Sequence, residues 1–167
     1  LLYTFEDFLL QDKHYRQRHW DFVKQSLEDL NAQLKPYNSK ILVVQNDIQK
    51  VIKTINTTFN VTNVFSHKET SLLSTFKRDI AFAEFLAKNT IVWSENDNNG
   101  VQRGLTNRNT WYQNWDNYMM QAEFLFQPKQ NQLLPINQIE TLESELNTIS
   151  VSTKHSKALQ KGGTTTG

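Results

Sequence analysis

Short apolar stretches alternate with amphipathic stretches along the first 95 residues of the chain. Residues 41–45 form a continuous apolar run, which is typical of a strand covered on both faces. Residues 1–5, 61–67 and 90–93 predict further strands. The stretches between them repeat apolar residues every three or four positions, as amphipathic helices do. This order predicts an α/β fold with a doubly wound parallel sheet in three layers (Rossmann-like), because parallel strands need crossover connections.

The same periodicity predicts where the helices lie. One is expected over residues 19–35, and a second after Asn46 and Asp47, which are good helix N-caps. A third is expected over residues 69–88. Its core side is predicted to carry Leu73, Phe76, Ile80 and Phe85. Beyond a polar loop, a short aromatic helix and a last helix near residues 139–149 complete the prediction.

Composition narrows the classes of partner. The net charge of +1 gives no support for a generally basic nucleic-acid surface or a polybasic membrane patch. The chain has no Cys, which excludes disulfides and thiolate metal sites and favours a reducing compartment. No apolar run is long enough to span a bilayer. We therefore expect a cytoplasmic protein.

Polar residues follow the predicted strands at the edge where open parallel sheets bind ligands. The candidate binding residues there are Gln45, Asn46, His67 and Glu69. Helix capping is an alternative explanation for such residues. His67 and Glu69 lack the further ligands of a metal site, so no metal is predicted. No dinucleotide, phosphate-loop or nucleophile-elbow motif occurs, and no catalytic residue is predicted.

Several segments, in collinear order, resemble the photolyase/cryptochrome family. Residues 1–47 are similar to a strand, long helix and strand of that family, and residues 63–86 to its next strand and helix. The most specific segment is residues 98–119, NNGVQRGLTNRNTWYQNWDNYM. It resembles the Asn-Gly-Val-x-Arg-Gly-Leu element that leads out of the α/β domain in bacterial cryptochrome-like members. Gly162 and Gly163, followed by Thr164, resemble the start of the flavin-binding domain.

The resemblance implies an antenna role. In this family the N-terminal α/β domain often holds an auxiliary chromophore, such as a folate, a deazaflavin or a flavin, which passes excitation energy to FAD in a helical domain. Photolyases then repair a pyrimidine dimer in DNA, whereas cryptochromes signal. The implied division is an α/β domain at residues 1–122 and a connection at 123–167 towards an FAD domain that this chain lacks. The parent protein would be a deoxyribodipyrimidine photo-lyase, and this fragment alone would not be catalytic.

The resemblance also implies roles for individual residues. A loop facing the flavin domain would be shaped by Asn99, Gly100, Arg103 and Gly104, and the junction would be packed by Trp111 and Trp115. Ser74 and Thr75 stand where folate-binding members carry Asn-Glu, which disfavours a folate. The family's opening central strand has no counterpart here, so an open sheet edge and self-association are expected.

Three other functions remain open from the sequence. The first is a cryptochrome photoreceptor domain without repair activity. The second is a nucleotide-binding α/β domain of the electron-transfer-flavoprotein type, with an adenosine site at the same strand ends. The third is an interaction module that binds a helical partner through the face of residues 111–120.

Overall fold

Short strands and helices alternate in the computed structural model, which describes residues 1–70, 72–97, 100–102, 104–122, 125–129, 131–146, 148–149 and 161–164. The strands are β1 (Leu2–Thr4), β2 (Leu42–Val44), β3 (Asn63–His67) and β4 (Val92–Asn96). The helices are α1 (Asp7–Leu10), α2 (Gln17–Leu34), α3 (Ile48–Thr58), α4 (Leu73–Lys88), α5 (Trp111–Met119) and α6 (Ile136–Glu145). The chain divides into a first unit, Leu1–Thr58 with Gln127–Gly167, and a second unit, Phe59–Phe126.

The first unit is built on a parallel pair of strands, with Leu2 of β1 opposite Leu42 of β2. Ile41 and Val43 belong to a buried cluster with Leu27 and Leu34 of α2 and with Phe5. Leu42 and Val44 point to the opposite face, because side chains alternate along a strand, and they are buried as well. This burial confirms the prediction of a strand covered on both faces.

The second edge of β2 is also paired. The carbonyl of Val44 accepts a hydrogen bond from the N–H of Phe5 at 2.8 Å, so the peptide groups of Val44 face β1. Thr148, which follows α6, forms an antiparallel bridge with Val44. Because backbone groups alternate in direction along a strand, this bridge lies on the edge away from β1. The segment after α6 therefore covers an edge of β2.

Helix α2 ends where the sequence predicts. A single 3₁₀ turn, Lys35–Tyr37, follows it, and Asn38 then adopts a left-handed conformation with φ of 50°. Asn tolerates this conformation better than most residues, which is why it commonly closes a helix. The side chain of Asn31 accepts a hydrogen bond from the N–H of Ile41 at 2.8 Å. That bond ties the end of α2 to the start of β2.

The second unit is built on the parallel pair β3 and β4, with His67 opposite Asn96 at their carboxyl ends. Its covered face carries Trp93, whose ring meets that of Phe82 on α4 edge to face at 5.3 Å. The indole N–H of Trp93 donates to the hydroxyl of Ser66 at 3.0 Å. The alternate residues point away from this packing, and Phe65 among them is 70% exposed.

The predicted core side of α4 is wrong for three of its four residues. Leu73, Phe76 and Ile80 are exposed, and the buried residues of the helix are Thr75, Asp79, Phe82 and Leu86. The helix carries apolar residues on two faces, so its periodicity does not determine which face packs. The contact with Trp93 determines it, because that ring covers the side of Phe82.

Most predicted elements are present, and α/β is confirmed as the fold class. Both strand pairs are parallel, but the structure does not join them into a doubly wound sheet, so that arrangement stays a prediction. Helix α1 was not predicted, and α6 begins three residues earlier than expected, at Ile136. No helix among the described residues has the length and apolar character needed to cross a membrane.

Candidate functional site

The carboxyl ends of β3 and β4 meet at one edge of the second unit, because the two strands are parallel. Lys68 follows β3, and its N–H donates to the carbonyl of Asn96 at 2.9 Å, which extends the pairing by one residue. The ammonium of Lys68 lies 2.7 Å from a carboxylate oxygen of Asp97. Both side chains are substantially exposed, so this ion pair contributes little to stability.

Helix α5 is fastened to these strand ends. The hydroxyl of Tyr118 donates to the carbonyl of Asp97 at 2.9 Å. The amide of Gln102 donates to the carbonyl of Trp111 at 3.3 Å, and its oxygen accepts from the amide of Asn114 at 3.0 Å. The chain between β4 and α5 is therefore held against the helix by side chains on both of them.

Gly100 packs closely against α5. Its φ is +67°, a conformation that glycine adopts without a steric penalty. A Cβ there would lie 2.9 Å from a ring carbon of Trp115 and 3.2 Å from one of Tyr118. Conformation and space both require glycine at this position. Gly104, with φ of +69°, has nothing within 4 Å of such a Cβ.

A cavity of about 590 Å³ opens between the strand ends, the loop and α5. This volume falls within the usual range of small-molecule sites, roughly 300–1,000 Å³. Primary amides and the Lys68–Asp97 pair provide its polar groups, and two aliphatic side chains provide an apolar part. The lining residues are Lys68, Asp97, Gly100, Val101, Gln102, Leu105, Asn114, Asn117, Tyr118 and Gln121.

The predicted binding residues of the first unit are engaged in local hydrogen bonds. The amide of Gln45 donates to the carboxylate of Asp7 at 2.8 Å, at the start of α1. The side-chain oxygen of Asn46 accepts from the N–H of Asp47 at 3.0 Å. Asp47 in turn accepts from the N–H groups of Gln49 and Lys50, so it caps α3 as predicted. Gln45 and Asn46 thus lie at the carboxyl end of β2, beside two helix starts.

His67 and Glu69 lie at the carboxyl end of β3 in the second unit. His67 is the last residue of the strand and is exposed. A carboxylate oxygen of Glu69 accepts from the N–H of Thr70 at 2.8 Å. The cavity is lined by Lys68, which stands between them, and neither neighbour is among its described lining residues. Where the structure describes the chain, His, Asp and Glu side chains form no group of three that could hold a metal ion.

The predicted interface residues cluster around α5. Trp111 and Trp115 lie on one helix face with their rings stacked, 6.3 Å apart at 19°. Trp111 is exposed and Trp115 half-buried. The predictions for Asn99 and Arg103 fall outside the described residues. Between the loop and the helix, the structure brings Gly100 against Trp115.

The amide residues of the cavity were not identified from the sequence. Asn114 and Asn117 are three residues apart, which places them on one face of α5, and Gln121 follows two residues after the helix ends. That spacing was the available signal. It did not indicate which part of the molecule the face would meet, since that depends on the bond between Tyr118 and Asp97.

Comparison with known proteins assigns the chain to a family. The sequence model described as DNA photolyase matches residues 2–136, most of the chain. No curated protein matches it. The chain belongs to the DNA photolyase family, which confirms the resemblance seen in the sequence.

Proposed function

We propose that this member of the DNA photolyase family is the antenna-type domain of a light-dependent photolyase, which repairs pyrimidine dimers with FAD held in a helical domain. The observation that carries the proposal is the family match over residues 2–136. The packing of the family-like loop on α5 supports it, because Gly100 stands where the contact with Trp115 leaves no room for a side chain. In this proposal residues 1–122 form the α/β domain and residues 123–167 lead towards the flavin domain.

The antenna chromophore is proposed to bind at the carboxyl ends of the strands, with Gln45, Asn46, His67 and Glu69 at its rim. The position of these residues at the ends of β2 and β3 supports this assignment. A folate is disfavoured. Thr75 is buried, and its hydroxyl donates to the carbonyl of Leu72 at 2.8 Å, so it is engaged in the start of α4.

The loop after β4 and helix α5 are proposed to face the flavin domain of the same protein. The loop positions are Asn99, Gly100, Arg103 and Gly104, and the helix contributes Trp111 and Trp115. Support comes from the apolar surface of α5, where Tyr112 is 66% and Met119 52% exposed. Exposed apolar surface of this kind marks interaction sites in soluble proteins. Damaged DNA would be bound by the full-length protein.

Both strand pairs are proposed to belong to one doubly wound sheet, completed by a central strand that this chain does not contain. The support is that no described residue pairs with the second edge of β3. The N–H of Val92 in β4 donates to the carbonyl of Thr62, so the backbone N–H and C=O groups of the even-numbered residues of β3 face β4. Because these groups alternate in direction along a strand, the backbone groups of Asn63, Phe65 and His67 point to the other edge. Self-association of the isolated chain would use this edge.

Hydrogen exchange tests the sheet proposal. In the full-length protein the amides of Phe65 and His67 should be protected, because a neighbouring strand would accept from them. The amide of Val64, which faces β4, should be protected in both the full-length protein and the isolated chain. If the amides of Phe65 and His67 exchanged as fast in the full-length protein as in the isolated chain, the proposal of a completed sheet would be refuted.

The function itself is tested on the full-length gene product, purified in the dark. We expect a flavin absorption spectrum and blue-light repair of oligonucleotides that contain pyrimidine dimers. We also expect a repair action spectrum with a band that FAD does not account for. A flavin spectrum without repair would replace the photolyase proposal with the cryptochrome one. A protein without flavin that adenosine nucleotides stabilise would refute both and support the electron-transfer-flavoprotein type.

The rim is tested by substitution in the same full-length protein. Gln45→Ala should lower the content of the antenna chromophore without changing the content of FAD. Gln138→Ala is the matched control, because Gln138 is an exposed glutamine of α6. Unchanged chromophore content in Gln45→Ala would remove Gln45 from the rim.

A further inference from the structure

A cavity of the first unit lies beside the start of β2. Its volume is about 510 Å³, within the usual range of small-molecule sites, roughly 300–1,000 Å³. One wall is the 3₁₀ turn after α2, and the other is the segment that leads into α6. Asn38, which lines the cavity, precedes β2, whereas Gln45 and Asn46 follow it. The cavity therefore lies at the amino end of this strand, and the proposed chromophore rim at its carboxyl end.

The two walls of this cavity are held together by hydrogen bonds. The hydroxyl of Ser39, a buried residue, donates to the carbonyl of Leu134 at 2.8 Å. The N–H of Ile136 donates to the carbonyl of Asn38 at 3.0 Å. Leu133, which lines the cavity, also packs against the buried cluster of this unit. The cavity is thus formed without a ligand, which lowers the cost of ordering on binding.

The polar groups of the cavity favour an anion. Its described lining contains the ammonium of Lys129 and no carboxylate. Lys129 forms no ion pair with the described part of the chain, and the side-chain amides of Asn38 and Asn131 form no hydrogen bond with it. An ammonium and two amides are all donors to a carboxylate. Because one ammonium balances one negative charge, a carboxylate suits this lining better than a phosphate dianion.

The remaining lining is apolar and favours a ring. It consists of Pro36, Leu133, Pro135 and the aromatic ring of Tyr37. The pyrrolidine rings of the two prolines fix φ, so this part of the wall is rigid. Aromatic rings pack on one another in offset or edge-to-face arrangements, and Tyr37 offers such a surface. A ligand that joins one carboxylate to an aromatic ring uses both parts of the lining.

We infer that this cavity is a binding site for a small aromatic carboxylic acid in its ionised form. Lys129 pairs with the carboxylate, and Asn38 and Asn131 donate hydrogen bonds to it. Tyr37 and Leu133 pack against the ring. The site shares no residue with the proposed chromophore rim, and it does not depend on the proposed function.

The test titrates the 167-residue chain with benzoate and 2-naphthoate at pH 7, where both acids are ionised. The side-chain NH₂ signals of Asn38 and Asn131 are followed by NMR. Both acids should shift these signals saturably, with a dissociation constant below about 5 mM for benzoate. 2-Naphthoate should bind more tightly, because its second ring buries more apolar surface. Benzamide, the uncharged analogue of benzoate, should bind at least about fivefold more weakly, because it has no charge to pair with Lys129.

Substitution of Lys129 assigns the charge. Lys129→Met keeps a long unbranched side chain and removes the ammonium, so benzoate should bind about tenfold more weakly and benzamide equally well. Lys129→Arg should retain the binding of benzoate. Lys50→Met is the matched control, because Lys50 is an exposed lysine of α3 in the same unit. It should leave the binding of both compounds unchanged.

Asn131→Gly tests the amide independently. Asn131 has φ of +68°, a conformation that glycine adopts without a steric penalty. The substitution therefore removes the side-chain amide and preserves the backbone. Benzoate, followed by the NH₂ signals of Asn38, should bind about threefold to tenfold more weakly, the effect of one lost hydrogen bond.

Four results would overturn the inference. The first is the absence of a saturable shift with either acid up to its solubility. The second is equal binding of benzamide and benzoate, which would indicate a site for uncharged rings. The third is equal binding of acetate or inorganic phosphate, which would indicate an anion site without an apolar part. The fourth is unchanged binding of benzoate in Lys129→Met. Each leaves the photolyase proposal unaffected, because that proposal is tested by light-dependent repair in the full-length protein.

Discussion

Substitution of Gly162 by Ala should detach the segment of residues 161–164 from α2. The N–H of Gly162 donates to the side-chain oxygen of Gln25 at 2.8 Å. Two residues later, the N–H and hydroxyl of Thr164 bond to one carboxylate oxygen of Asp29, at 2.9 and 3.1 Å. Gln33 also donates to the hydroxyl of Thr164 at 3.0 Å. The segment is therefore held by three residues spaced by four on one face of α2, namely Gln25, Asp29 and Gln33.

The steric conflict in Gly162→Ala is with the helix itself. A Cβ on Gly162 would lie 2.3 Å from the carbonyl oxygen of Phe22 and 2.7 Å from the hydroxyl of Ser26. The carbonyl is backbone of α2, and the hydroxyl is already donated to that same carbonyl at 2.9 Å. Neither group can move aside without disturbing α2. The segment must therefore move away from the helix and lose its hydrogen bonds to it.

The expected magnitude follows from those bonds. Each contributes about 0.5–1 kcal/mol, the lower part of the usual range, because most of them are exposed. Losing two or three of them costs about 1–3 kcal/mol of local stability. Since 1.4 kcal/mol is tenfold in an equilibrium constant, the detached state should become roughly 5-fold to 140-fold more populated. The global free energy of unfolding should change little, because local openings of this kind are sub-global.

Hydrogen exchange at the amide of Thr164 measures this opening directly. Its protection should fall about fivefold or more in Gly162→Ala. Asp29→Ala should have a similar effect, since it removes the acceptor. Gly104→Ala is the matched control, because a Cβ there meets nothing within 4 Å. Unchanged protection of Thr164 in Gly162→Ala would refute the steric argument.

Three further predictions concern other parts of the molecule. Gly100→Ala should lower the free energy of unfolding by about 1–3 kcal/mol in urea titrations, because the residue has φ of +67° and no space beside Trp115; a loss no larger than that of Gly104→Ala would contradict the close contact. Leu86→Ala should cost about 2–5 kcal/mol and Leu73→Ala less than about 0.5 kcal/mol, because only Leu86 is buried; similar losses would restore the predicted core side of α4. Burial raises the pKa of Tyr3, and the nearby Tyr15 adds a smaller effect in the same direction. The neutral phenol therefore stabilises the fold below the unfolded pKa of about 10, and this stability is lost as the pH rises through the folded pKa. Melting temperatures from pH 9 to 12 should therefore fall less steeply for Tyr3→Phe than for the parent chain, and parallel curves would contradict this assignment.

The order of elements could be predicted from the sequence because strands and helices have different periods. The run at residues 41–45 is apolar at every position, and β2 is buried on both faces. The capping side chain of Asp47 fixed the start of α3 to within a residue. Helix α1 was missed because its four residues are too few to show a period.

The packing of α4 could not be predicted, for a physical reason. Leu73, Phe76 and Ile80 form one apolar stripe, and Phe82 and Leu86 lie on another face. Both stripes satisfy the helical period. The choice between them depends on Trp93, a residue of the next strand, so it is made by tertiary contact and not by the helix.

The same distinction explains the candidate site. The sequence placed ligand binding at the carboxyl ends of the strands, a rule of parallel sheets that applies whatever the side chains are. The sequence could not place α5 at these strand ends, because the periodicity of residues 111–119 predicts a helix and does not indicate which strand it packs against. The contact includes the hydrogen bond from the phenol of Tyr118 to the carbonyl of Asp97, and a glycine, Gly100, that allows the loop to touch Trp115. The general position of a site is therefore encoded by strand order, whereas the chemistry of its wall is encoded by a few contacts between distant residues.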